Sequence, residues 1–411
     1  MTISSFRAPG GRAKRLAATL YTYAFLDEFV LLYPFYALLF VDTGLSTAEI
    51  SSLLAIWSLT SVVMEVPSGV WADTASRRAL LALAPLAAAI GFGLLVAVPT
   101  YWVFAAGFVL WGTSGALQSG ALEALVYTEL DRLGAAGRYA AIMGRARAIG
   151  TGAVMASMAV AAPVFALGGY PLVGAGSVLA CVLATAVALT FPEHRVRGQR
   201  EETSPGGYAA TLRAGLREVR ADRTTRRALL LVPAVTALWG SLEEYVPLLA
   251  VGAGVATHAV PLVVLLVSAG IAVGGLFAAA GRGFTDRELA ALLAFGALAL
   301  GAGAAGGVAV GFVAVAAAFC AFQMASVLAD ARLQESITGP ARATVTSLAG
   351  LGTEVGAVLA YGGYAAASAL TDHATIFTAS AVPYAVLALV LFLGGSRSRR
   401  AAAVRAPLGG P

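Results

Sequence analysis

Ala79–Val98 reads ALLALAPLAAAIGFGLLVAV, twenty residues without one charge. A helix rises about 1.5 Å per residue, so about 20 residues match the roughly 30 Å apolar core of a bilayer. This run therefore has the length of one membrane crossing. Working outward, apolar runs bounded by charge or turn residues recur near 16–41, 47–67, 101–128, 139–163, 170–191, 228–252, 258–280, 288–306, 309–330, 342–368 and 374–394. The chain of 411 residues is 59% hydrophobic and 12% charged, with a mean hydropathy of +0.82. Soluble domains carry about a quarter charged residues. The expected fold is thus an all-α integral membrane protein of twelve transmembrane helices in two pseudo-symmetric six-helix bundles, 16–191 and 228–394. The first run is too long for a cleavable leader and no small-residue cleavage site follows it, so it is read as a retained helix.

The basic residues orient this scheme. All 27 Lys and Arg fall in or near the N-terminus, the C-terminus or the even-numbered connections. Lys and Arg collect on the cytoplasmic side. Both tails, 1–15 and 395–411, and the central connection 192–227 are therefore expected to be cytoplasmic, in a multi-pass protein of the cell membrane. The tails are expected to be disordered at their ends. Within the connection, 206–227 spaces apolar residues among arginines as a surface-lying amphipathic helix would. The net charge of +5 reports topology and gives no reason to expect a nucleic-acid partner. Cys181 and Cys320 sit in apolar runs as packing residues. His194, His258 and His373 are scattered, so no metal or cofactor is expected.

The halves echo each other. Leu26-Asp27-Glu28-Phe29-Val30 in the first helix matches Leu242-Glu243-Glu244-Tyr245-Val246 in the seventh, and an aromatic stands four residues before each acid pair, Tyr23 and Trp239. Arg138 and Arg342 each open a run rich in small residues. Gly283, Asp286 and Arg287 after the eighth helix echo Gly69 and Asp73 after the second. Internal repeats with a midplane site are characteristic of secondary transporters.

The connection after the second helix reads Glu65-Val66-Pro67-Ser68-Gly69-Val70-Trp71-Ala72-Asp73-Thr74-Ala75-Ser76-Arg77-Arg78. It resembles the signature loop of the major facilitator superfamily, G-x-L-A-D-x-x-G-R-[RK], with Trp71 and Ser76 as the departures. The resemblance extends over the whole chain through the six-plus-six pattern. It implies that Gly69, Asp73, Arg77 and Arg78 form a cytoplasmic gating loop whose charges favour one of two rigid-body arrangements. Many family members carry a basic residue, linked to proton coupling, where Trp111 stands here. The Gly-Pro pair of many drug antiporters is missing around Gly150 and Gly152.

The acids inside apolar runs carry the functional reading. Asp27, Glu243, Glu244 and Glu354 lie near mid-helix depth. An ionised carboxylate facing lipid costs about 2.5–3.5 kcal/mol on insertion scales. They are expected to face a wet cavity or a partner, or to be protonated. Neighbours in a helix point about 100° apart, so one acid of each pair should line the cavity. Asp27 and Glu243 are favoured over Glu28 and Glu244, because Tyr23 and Trp239 share their faces. An aromatic beside a carboxylate suits a cationic or amphipathic solute. Glu123, Glu129, Arg145 and Arg147, with Glu65 nearby, read as a structural charge cluster near the cytoplasmic face. Small residues in Phe295–Val308 read as helix packing. The expected function is proton-coupled secondary transport of a small solute across the bilayer by alternating access, with efflux favoured and an uptake permease or uniporter as the alternative. A membrane-embedded enzyme would need a nucleophile–base pair or metal cluster at depth, and none is evident. A receptor would be expected to add a soluble domain, and no connection is long enough for one.

Overall fold

The computed structural model describes residues 9–194, 222–281, 283–306, 310–337 and 342–405. Among these residues the regular structure is helical throughout, with no strand. The chain divides into two compact units, Met1–Glu201 with His258–Leu262, and Glu202–Thr257 with Val263–Pro411. The first unit contains α1 (Pro9–Glu28), α2 (Tyr36–Asp42), α3 (Thr47–Thr74), α4 (Arg77–Ala97), α5 (Tyr101–Gln118), α6 (Ala121–Arg132) and α7 (Tyr139–Ala188). The second contains α8 (Arg223–Glu243), α9 (Val246–Gly252), α11 (Asp286–Ala305), α12 (Gly311–Ser336), α13 (Arg342–Ser368), α14 (His373–Ala379) and α15 (Ala381–Arg405); α10 (Val260–Phe277) begins at the division between the units.

Each expected apolar run is helical, but the ends and continuity differ. Seven helices among the described residues are long and apolar enough to cross a membrane, and α8 with α9, bent by 51°, makes an eighth. One of the seven contains α7, whose 50 residues would span about 75 Å if straight. It is broken at Gly168 and Gly169, which leave helical φ/ψ, with Gly169 at φ +58°. That break separates the two expected runs 139–163 and 170–191. The runs 16–41, 101–128 and 342–368 fall short on their own through charge, polar residues or breaks.

The first helix starts at Pro9, not near 16, and stops at Glu28 before resuming at Tyr36. The run 101–128 is broken at Ser119–Gly120, where Gly120 takes φ +72°. The last helix runs to Arg405, so that part of the C-terminal tail is helical. Most of the amphipathic helix expected over 206–227 lies outside the described residues; Arg223–Arg227 instead open α8, capped by the Asp222 carboxylate on the Thr224 and Thr225 amides.

Helix starts follow local chemistry. Ser46 with Glu49, and Thr285 with Glu288, form reciprocal capping boxes at α3 and α11. Each satisfies amides that a helix start leaves orphaned. Within the first unit α1 and α4 pack on α7, and α5 packs on α3 and α4. Within the second, α8 packs on α12 and α13, and α11 packs on α12 and α15. Lipid gives little hydrophobic drive between helices, so close approach at small residues supplies much of the packing. A Cβ on Gly112 of α5 would stand 2.9 Å from the Trp57 carbonyl of α3. In the second unit a Cβ on Gly274 of α10 would run into the Cys320 carbonyl of α12.

Candidate functional site

Helix α1 ends on Asp27 and Glu28, and α5 ends on Gln118. Together with α6 and α7 they line an open cavity of about 600 Å³ within the first unit. Its walls include Tyr23, Asp27, Glu28, Gln118, Glu123, Arg147 and Thr151. The Gln118 amide Nε2 donates to Asp27 Oδ2 at 2.7 Å and to the Tyr23 hydroxyl at 2.8 Å. That hydroxyl donates onward to the Leu81 carbonyl at 3.2 Å. Across the cavity Arg147 Nη2 donates to Glu123 Oε1 at 2.9 Å. Glu123 lies in the first turn of α6, where the helix dipole favours an anion. Three carboxylates thus share one cavity with one guanidinium.

Asp27 and Tyr23 both line this cavity. Glu28 lines it too, because α1 stops at Glu28 and both acids occupy the last turn. Tyr23 is only 1% exposed and meets Phe191 edge-on, so it offers its hydroxyl and not a ring face. Glu123 and Arg147 form the expected pair. Arg145 and Glu65 are exposed and stand outside it. Glu129 is buried and accepts from His194 N at 2.7 Å, with Arg132 Nε at 3.5 Å. Reading the sequence missed Gln118. Its signal was there: a lone amide ending the otherwise apolar run 101–117, directly before Ser119-Gly120.

In the second unit Glu243 and Glu244 stand half-buried at the end of α8. Tyr361 of α13 lies near Ser241, Glu244 and Glu354. Glu354 and Tyr361 are seven residues apart on α13, which puts them on one helical face. The Tyr245 ring stacks on Tyr364 at 3.6 Å, and the Tyr364 hydroxyl meets His373 Nδ1 at 2.8 Å. Trp239 was expected to present a face to solute. It is 6% exposed, gives its Nε1 proton to Ser326 Oγ at 3.0 Å, and packs edge-on against Phe319. A buried indole needs a partner for its N–H, and α12 supplies one.

The signature stretch is mostly not a loop. Gly69 and Asp73 belong to the last turns of α3, a two-residue turn, Ala75–Ser76, follows, and Arg77 and Arg78 open α4. The Asp73 side chain lies outside the described residues. Arg77 donates from Nε to the Ala72 carbonyl at 3.2 Å, and from Nη1 to the Ala124 carbonyl at 3.2 Å and Thr128 Oγ1 at 3.1 Å. Glu193 caps α4, accepting from Arg77 N at 2.7 Å and from Ser76 Oγ. Arg78 is exposed, and a Cβ on Gly69 would meet nothing within 4 Å. Trp111 stacks on Tyr33 and meets Tyr36, Trp57, Phe92 and Phe108.

A family model for the Major Facilitator Superfamily matches residues 17–361. The chain belongs to that superfamily, a class of membrane transporters. A search of the curated proteins finds no match. Among solved structures, the nucleoside transporter NupG aligns with a TM-score of 0.70 at 16% identity, covering 92% of this chain and 98% of that one. An auto-inhibited POT family peptide transporter aligns at 0.69 and 15%, covering 93% and 97%. A bacterial homolog of the human lysosomal transporter Spinster aligns at 0.64 and 14%, covering 93% and 95%. At these identities the likeness is one of fold.

Proposed function

We propose that this transporter exchanges protons for a cationic or amphipathic small solute, and that both meet at the Asp27–Glu28 cavity. The observation that carries the reading is the cavity wall itself: three carboxylates, one guanidinium and the Gln118 amide in one cavity among apolar helices. Carboxylates within membrane-spanning segments are costly and mark ion or substrate paths. A cation and protons that compete for the same carboxylates are exchanged, so an inward proton gradient drives the cation out. Glu244, Glu354 and Tyr361 are the corresponding polar group of the second unit. Arg77 and Asp73 act in the proposal as the gating pair. Both termini and 192–227 face the cytoplasm, from the one-sided Lys and Arg; a cysteine placed at 200 should label only in permeabilised cells and one at 372 in intact cells.

The test is flux by purified protein in liposomes under an imposed pH gradient, against a panel of solutes. Asp27→Asn and Glu28→Gln should each abolish gradient-driven accumulation, and at least one should retain solute exchange without a gradient. Solute flux with no proton movement would assign a uniporter. Gradient-driven accumulation at the normal rate by both variants would remove the acids from the mechanism.

A further inference from the structure

A second cavity of the first unit, about 430 Å³, lies at the opposite end of α1 from the acids. Arg12 and Arg15 of α1, Arg132 at the end of α6, Thr19 and His194 line it, with Leu16 among its apolar residues. Arg12 and Arg15 are three residues apart on one helical face. Neither forms an ion pair among the described residues. The one acid on the wall, Glu129, is buried and already engaged by Arg132 and His194. The wall therefore keeps two unopposed guanidinium groups. At about 1.5 Å per residue, Arg15 stands about 18 Å and Arg12 about 22 Å along α1 from Asp27. With Asp27 near the midplane, both pass the roughly 15 Å half-thickness of the apolar core and reach headgroup level.

We propose that this pocket binds the phosphate of an anionic membrane lipid on the side that the Lys and Arg distribution marks as cytoplasmic. Guanidinium forks match phosphate oxygens in pairs, and basic pockets between transmembrane helices take anionic headgroups. Leu16, Leu133 and Pro192 give the lipid's glycerol an apolar wall. A volume of about 430 Å³ far exceeds the roughly 30 Å³ share of one water. The bound lipid would tie the start of α1 to the ends of α6 and α7.

The test uses the full chain in neutral detergent micelles doped with phosphatidylglycerol or phosphatidylcholine. Apparent affinity is read from the rise of the unfolding temperature with lipid. Phosphatidylglycerol should bind well above phosphatidylcholine. Arg12→Gln with Arg15→Gln should weaken it about 30-fold, about fivefold for each arginine at the membrane surface. Lys14→Gln removes one charge beside the pocket, outside its wall, and should change affinity less than twofold, against about fivefold for Arg12→Gln or Arg15→Gln alone. A loss in the Lys14 variant equal to that of either single arginine variant would reduce the effect to general surface charge and overturn the site. Equal stabilisation by phosphatidylcholine, or by inorganic phosphate at the same concentration, would overturn the lipid assignment. Should the double variant fail to fold, native mass spectrometry of the unaltered protein decides: phosphatidylglycerol must be retained over phosphatidylcholine.

Discussion

Replacing Gln118 by Leu keeps the side chain's bulk and deletes two hydrogen bonds, to Asp27 Oδ2 and to the Tyr23 hydroxyl. A bond to a charged group contributes about 1.5–3 kcal/mol and a neutral one about 0.5–1.5 kcal/mol. Their sum is a ceiling of about 2–4.5 kcal/mol. Asp27 opens on the cavity, where water can replace the lost amide, so a loss of about 1–2 kcal/mol is expected. In an Asp27→Asn background the charged bond is already neutral, and the same change should cost about 1 kcal/mol less. The double-mutant cycle on reversible unfolding in mixed micelles therefore predicts a coupling of about 1 kcal/mol, against an additivity error of about 0.3–0.5 kcal/mol. Gln118→Leu should also cut gradient-driven flux at least tenfold, because the amide fixes the Asp27 carboxylate. Additive stabilities, or normal flux in Gln118→Leu, would show that the amide and the carboxylate are neighbours without a shared role.

Asp73→Asn should slow transport severalfold while leaving expression and melting temperature nearly unchanged, since the change keeps the side chain's size in the last turn of α3; an unaltered rate would leave the signature stretch as a plain helix end. Trp239→Ala should reduce folded protein and not solute affinity, with a cost of about 3–5 kcal/mol for a large buried aromatic. Trp239→Phe loses only the bond to Ser326 and should cost about 1 kcal/mol. A stable Trp239→Ala protein with weakened solute binding would restore the ring to the solute site.

The all-helical membrane fold was legible because charge-free runs of crossing length leave few alternatives, and because Lys and Arg fall in alternate connections. The gap between the runs 139–163 and 170–191 matches the break at Gly168-Gly169, but the break at Gly120 was not read, although the polar Gln118-Ser119 precedes it. The acids were legible as costly insertions. Their orientation was not, because a 100° rule holds inside a helix and α1 ends at Glu28. Tyr23 and Trp239 were read as cavity faces from spacing alone. Spacing identifies a shared stripe, but which side of that stripe is wet depends on partners far along the chain, Leu81 for Tyr23 and Ser326 for Trp239. Gln118 followed the same rule: its meaning came from a residue 91 positions away.

Both acid pairs occur where a helix stops. Asp27 and Glu28 close α1, and Glu243 closes α8 with Glu244 just beyond it. A helix C-terminus carries partial negative charge and unpaired carbonyls, and an acid there is disfavoured by about 0.3–1 kcal/mol. Glu28 adds two further penalties, the neighbouring Asp27 and partial burial, and among the described residues no hydrogen bond reaches its carboxylate. Nothing in local folding favours that residue at that position, so it is held by function if the cavity is the transport site. Glu28→Gln removes the dipole, like-charge and desolvation costs together and keeps the shape. It should stabilise the apo protein by about 1 kcal/mol, which for a unit of about 200 residues is a rise of roughly 2–4 °C in Tm. Gradient-driven flux should fall at the same time, the opposed change that a strained functional group produces. A lowered Tm in Glu28→Gln would mean that the carboxylate has a structural partner, and the argument from its cost would collapse.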